Sequence, residues 1–187
     1  MNTSQTAPRT RSPKTHQAIL DAAASILMID GYAGLTIERI AKISGVGKPT
    51  IYRWWPNKTA ILIDLFNRET SYLQNIEDIG STHKEVLVWF DRVWQSWKSP
   101  VNAEAFRSII AESQADPRAL KLFVENYVQP RRESLLGILR RAQQRGELQG
   151  RDLEAIVDYC GGFNWHHLLM HTRPTKKTIE TVVDTIV

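Results

Sequence analysis

The chain has 187 residues, 42% hydrophobic and 24% charged, which suits one large domain or two smaller ones and excludes a wholly disordered chain. No apolar run approaches the ~18 residues of a membrane span, and the single cysteine, Cys160, permits no internal disulfide. The net charge of +4 is uneven: nine basic and five acidic residues fall in 1–70, against fifteen of each in 71–187, so a polyanion-binding head on a neutral body is expected.

Residues 1–13 are rich in Pro, Ser and Thr, carry Arg9 and Arg11, and lack the apolar stretch of a signal peptide. They read as a disordered basic tail on a cytoplasmic protein. Beyond them the 3.6-residue period runs through almost every segment and period-2 patterning is absent, which predicts an all-α fold. A first helix over about 14–30 places Ile19, Ala22, Ala23, Ile26 and Leu27 on one face, and Gly31 suits a C-terminus that needs a positive φ. Thr36 can cap a second helix that ends at Gly45. A short helix at about 48–54 is stopped by Pro56, and Asn57 can cap a fourth.

Past residue 80 the helices lengthen: 83–98, 102–114, a charged stretch through 117–145 punctuated by Pro117 and Pro130, about 152–171, and a last one from 176. The expected domains are a helix-turn-helix unit over 14–58 and a helical body over 59–187, with a linking helix at 58–75.

The segment GVGKPTIYRWWPNK, 45–58, combines Lys48, Arg53 and Lys58 with Tyr52, Trp54 and Trp55. A core helix would not carry the charges, and a solvated face would not carry the tryptophans. Two short helices joined at a glycine suggest helix-turn-helix. Ala41 is small where two helices approach, Gly45 allows a sharp turn, and Ile40, Val46 and Ile51 hold the angle. The second helix then presents Lys48, Thr50, Tyr52 and Arg53 to a major groove and its flanking phosphates. Pro49 sits in the first turn, where its missing N–H costs nothing. Helical spacing from Ile51 lets either Trp54 or Trp55 be the buried ring, and Trp55 is taken as that ring.

With AILDAA (18–23), GYAGLTIERIA (31–41), GVGKPTIYRWW (45–55) and PNKTAIL (56–62), residues 15–66 resemble the DNA-binding domain of the TetR family of transcriptional regulators. The resemblance implies that Thr36 touches a phosphate, that Lys48, Pro49, Thr50 and Arg53 face bases, and that Tyr52, Trp54 and Lys58 hold the DNA backbone. Arg53 could equally hold a phosphate. Gly47 stands where the family often has Ser, which weakens the cap of the recognition helix, and Pro49 stands where it often has Gly.

The resemblance further implies a homodimer on palindromic double-stranded DNA, paired through the last two helices, with Ile156, Trp165, Leu169, Ile179, Val182, Val183 and Ile186 as interface candidates. It also implies an effector pocket in a C-terminal ligand-binding and dimerisation domain. Trp89, Phe90, Trp94, Trp97, Phe106, Phe123 and Tyr127 are its candidates, for an apolar or aromatic molecule or a cation, and each could also be plain core. No cofactor, metal or membrane partner is expected. The expected function is a repressor released by a small molecule. Two other readings stand beside it: a TetR-like binder controlled by a protein partner, and a metal-dependent enzyme using His167 and His171, spaced i, i+4 on one helix.

Overall fold

The structure is a computed structural model that describes residues 12–70 and 76–187. The expected tail over 1–13 lies outside the described residues up to position 11, and the end of the expected linking helix, 71–75, lies outside them too. Among the described residues every regular element is helical, and the chain forms two compact units that divide between Leu65 and Phe66. None of the described helices is long and apolar enough to cross a membrane.

The N-terminal unit is built from α1 (Pro13–Asp30), α2 (Ile37–Ser44), α3 (Lys48–Trp54) and the first part of α4 (Lys58–Glu69). α1 starts on a proline in its first turn and ends at Gly31, whose φ is +65°. α2 is capped by Thr36, whose hydroxyl accepts from the Arg39 amide at 3.2 Å. Gly45 closes it in the left-handed region, φ +68°, where a side chain would be strained. α3 begins at Gly47 with no side-chain cap, as the sequence implied. Asn57 caps α4, its side-chain oxygen accepting from the Ala60 amide at 2.9 Å. Leu20, Ile40, Ile51, Ile61 and Leu62 fill the core, joined by Trp55.

The C-terminal unit begins within α4 and continues through α5 (Thr82–Ser96), α6 (Pro100–Ala115), α7 (Pro117–Phe123), a π-helical turn (Val124–Val128), α8 (Gln129–Gln144), α9 (Leu153–Leu169) and α10 (Lys176–Ile186). α5 packs on α8 and α10, and α9 packs on α8 and α6. The π turn answers to Pro130, which has no N–H to give the carbonyl of Asn126 four residues back. That oxygen instead accepts from Asn67 Nδ2 at 2.8 Å. Glu85 is fully buried on α5, yet its carboxylate is met by Arg141 Nη2 at 2.6 Å and by the amides of Ile79 and Ser81 at 3.3 Å.

α9 stops at Leu169, two residues short of the expected end, and His171 has a φ of +55°. The helix is closed by its own turn, with the Thr172 amide donating to His167 O at 2.9 Å.

Candidate functional site

Two sites emerge, one on each unit. On the first, α3 turns Ile51 inward and leaves Lys48, Pro49, Tyr52 and Arg53 exposed. Thr50, Trp54 and Lys58 are half-buried, and Thr36 is exposed at the start of α2. All eight residues expected at a DNA surface therefore keep some access to solvent. The tryptophan question is settled by geometry: Trp55 is 3% exposed, and its indole Nε1 donates to Asp64 Oδ2 at 3.0 Å. His16 meets the same carboxylate oxygen at 2.9 Å and stacks on the Trp55 ring, 5.1 Å between centroids. Three elements are thus tied at the base of α3. His16 and Asp64 were not singled out from the sequence, because nothing local marks residues that lie 48 positions apart as partners.

The electrostatics of this face hold a surprise. Lys48 Nζ donates to Glu38 Oε1 at 2.7 Å. That hydrogen bond holds the Glu38 carboxyl below its ordinary range and raises the Lys48 ammonium above its own, so both stay charged near neutral pH. An anion brought to Lys48 must compete with Glu38. Lys58 Nζ sits 4.0 Å from the centroid of the Tyr32 ring, an aromatic cradle for its charge.

The second site is a partly open cavity of about 200 Å³ within the C-terminal unit. α5 contributes Trp89, Val93 and Ser96, with Trp97 just past its end. Tyr127 and Val128 of the π turn and Arg131 and Arg132 of α8 form a second wall, and α9 closes it with Val157, Asp158, Gly161, Gly162, Asn164 and Trp165. Of the seven aromatics expected in a pocket, Trp89, Trp97 and Tyr127 line this cavity. Phe90, Phe106 and Phe123 are core, each 1% exposed or less, and the Phe106 ring packs against the rings of Phe66, Trp97, Phe123 and Tyr127. Trp94 opens on a separate cleft beside Arg107, and its Nε1 donates to Asn164 Oδ1 at 2.8 Å.

The polar groups of the cavity were not foreseen. Asn164 is 2% exposed, and Arg131 is buried with Nη1 donating to Tyr127 O at 3.0 Å and Asn67 Oδ1 at 3.2 Å and Nη2 to Thr70 Oγ1 at 2.5 Å. Asp158 at the rim accepts from Arg132, whose guanidinium it holds above its ordinary value. One signal in the sequence could have pointed here. Gly161 and Gly162 stand side by side in mid-helix, where glycine is unfavourable, and a Cβ built on Gly161 would meet nothing within 4 Å.

Of the residues expected at a dimer interface, Ile156, Val182, Val183 and Ile186 are buried within the chain itself, the last three on the face of α10 that meets α5. Trp165 lines the cavity and Ile179 is half-buried, while Leu169 is 38% exposed. The exposed face of α9 carries Tyr159, Gly162, His166 and Leu169, with Met170 exposed just past its end.

The metal reading fails on geometry. His171 lies beyond the end of α9 in a left-handed conformation, so it does not share a helical face with His167. His167 Nδ1 is 2.7 Å from Thr172 Oγ1, and burial, with His166 beside it, lowers its pKa. Among the described residues no group of three or more His, Cys, Asp or Glu is placed to hold a metal ion.

Comparison with known proteins agrees with both halves. Residues 19–65 match the family described as bacterial regulatory proteins, tetR family, and residues 76–186 match the family described as tetracyclin repressor-like, C-terminal domain. The uncharacterized HTH-type transcriptional regulator YdeS of Bacillus subtilis is 30% identical over 163 residues, covering 87% of this chain and 82% of YdeS. The crystal structure of the TetR family transcription regulator SCO0332 superposes with a TM-score of 0.77 at 26% identity, covering 92% of this chain and 96% of that one. The transcriptional regulator FadR from Bacillus subtilis, solved in complex with stearoyl-CoA, shares the fold with a TM-score of 0.62 at 21% identity, covering 91% and 95%.

Proposed function

The chain belongs to the TetR family of DNA-binding transcriptional regulators, and from that premise we propose that it is a homodimeric repressor released from a palindromic operator by a small apolar or aromatic molecule. The observation that carries this reading is the exposed face of α3, which offers Lys48, Pro49, Tyr52 and Arg53 together. Lys48, Pro49, Thr50 and Arg53 are assigned to base edges. Tyr52, Trp54, Lys58 and Thr36 are assigned to phosphates, with Lys58 lying at the positive end of α4.

One such helix covers only a few base pairs, so a second copy is needed to reach operator affinity. We assign the pairing to the exposed face of α9, where Tyr159 and Leu169, with Met170 just past the helix end, offer apolar area and Gly162 allows close approach. The apolar stripe of α10 supports this only indirectly, since it already covers α5.

The cavity of the C-terminal unit supports an effector. A long acyl thioester such as the ligand of the FadR structure exceeds about 200 Å³, so that ligand is not carried over. Arg131 offers a route from cavity to reader: it lines the cavity and holds Asn67 near the end of α4, the helix whose first residues belong to the N-terminal unit. A ligand must favour one arrangement of that helix over another to change DNA affinity.

The test is fluorescence anisotropy of the purified protein on DNA from beside its own gene, against scrambled DNA of equal length, across a salt series. Selective binding at two chains per palindrome is the expected result. Equal, weak and steeply salt-dependent binding to both DNAs would reduce the reader to a polyanion patch.

A further inference from the structure

α3 is the shortest helix of the reader and the least secured at its start. It spans seven residues, Lys48–Trp54, and Gly47 gives it no side-chain cap. Its placement therefore depends on what its other end is fixed to. Ile51, fully buried, sets one point of attachment. Trp55 sets the second. Its amide closes the last turn of α3 on Ile51 O at 2.9 Å, and its indole Nε1 donates to Asp64 Oδ2 of α4 at 3.0 Å. One residue thus ends the helix and ties it to another.

The chemistry of the tie runs one way. An indole N–H can only donate, and a carboxylate can only accept. The oxygen that takes the Trp55 proton also meets His16 Nε2 of α1 at 2.9 Å, which places an imidazole proton on Nε2. The His16 and Trp55 rings stack, 30° between planes and 5.1 Å between centroids, so the two donors reach that oxygen side by side. One carboxylate oxygen therefore joins α1, the end of α3 and α4. The His16 and Asp64 side chains are 26% and 31% exposed, at the edge of the core and not within it. Leu20, Ile40, Ile51, Ile61 and Leu62 bury their apolar area without the carboxylate.

The two kinds of DNA contact differ in what they demand of α3. A phosphate is reached by a long side chain that can follow a small tilt. A base edge is read only when the helix is held within about 0.5 Å and 10–20° of the right placement.

We propose that Asp64 is a positioning residue for base reading: through Trp55 and His16 it fixes the tilt and rotation of α3, and so sets how well the protein tells its operator from other DNA. The assignment rests on the reading of α3 as the recognition helix.

The probes are the site that the native protein enriches from random DNA and a scrambled duplex of equal length. Fluorescence anisotropy gives the affinity of each full-length variant for both, and the ratio of the two affinities is the readout. That ratio cancels the fraction of folded protein, and it cancels the general gain in affinity that comes with loss of a negative charge. Asp64→Ala should lower the ratio by about fivefold. Asp64→Asn, which keeps an acceptor oxygen for the indole, should recover most of that loss. Trp55→Phe keeps a ring in the core and removes the N–H. It should lower the ratio as well, and it serves if Asp64→Ala does not fold. The double variant should fall no further than Asp64→Ala alone, because both changes cut the same tie. An unchanged ratio in Asp64→Ala or in Trp55→Phe overturns the assignment, even where both affinities drop together, since the carboxylate then only holds the fold. Losses that add in full in the double variant overturn the route through Trp55. A native protein that enriches no site sinks the reader itself and this assignment with it. A native preference that survives Asp64→Ala sinks this assignment alone.

Discussion

The two units place their candidate functional residues in opposite ways. In the N-terminal unit they lie between Thr36 and Lys58, close in sequence, and they face outward from a core made by other residues of the same short helices. In the C-terminal unit they run from Trp89 to Trp165, come from three separate stretches of the chain, and line a cavity. A surface reader can be specified by local rules: a cap at Thr36, a left-handed glycine at Gly45, a proline in the first turn of α3. A cavity cannot, because a void is defined by what distant side chains fail to fill.

The largest effect should come from the buried charge of the C-terminal unit, a feature the reader lacks. Replacing Glu85 with Ala takes the buried carboxylate from Arg141 and Arg145, leaving Arg141 only the more exposed Asp78 and the Ile76 carbonyl, and leaves the amides of Ile79 and Ser81 without an acceptor. Loss of such a buried pair costs about 3–5 kcal/mol, to be read from urea denaturation of the whole chain. A loss below about 1 kcal/mol would mean that water replaces the carboxylate easily.

On the reader, Lys58→Ala should flatten the dependence of log affinity on log salt by roughly one unit per subunit. Base preference should not change. Gly161→Ala should separate stability from function in the cavity: alanine in mid-helix gains about 0.5–1 kcal/mol over glycine, while its methyl takes up cavity space and weakens binding of a small aromatic guest. A stabilised variant with unchanged binding would move the site away from α9.

Two smaller effects sharpen the contrast between outside and inside. Glu38→Gln removes an exposed carboxylate beside Lys48 and should tighten binding to every DNA sequence, since no anion then competes for that ammonium. Cys160, on the buried side of α9, has its thiol pushed up to about 12 by burial. A thiol reagent at neutral pH should therefore leave the folded protein unmodified. The unfolded thiol releases its proton near 9.0, so the folded state holds more protons between that value and about 12. This group therefore lowers stability as pH rises through that window.

The same contrast governs what the sequence reveals. Gly31, Gly45 and Asn57 announce their roles by residue type and spacing, and each adopts the expected conformation or bond. Helical spacing from Ile51 leaves both Trp54 and Trp55 open as the buried ring, and only the packing, with the Trp55 indole donating to Asp64, decides for Trp55. The aromatic residues of the body are legible as a set, but which of them line a cavity depends on neighbours far along the chain. Phe106 and Trp97 look alike in a sequence, and only the packing of α5, α6 and α9 makes one core and the other wall. The end of α9 escaped for a local reason, since no glycine or proline marks Met170 and His171, and a histidine takes the left-handed position instead. Asn164 escaped because its meaning rests on a bond to Trp94, 70 positions away.

The account turns on α3 as the element that reads sequence. The most direct measurement is selection of bound sites from random DNA with the native protein and with Lys48→Ala. The account predicts a two-fold symmetric site for the native protein, and for the variant the same site with one position per half relaxed by about tenfold. An unchanged site in Lys48→Ala would contradict its assignment to a base. No enriched site for the native protein would contradict the reader itself.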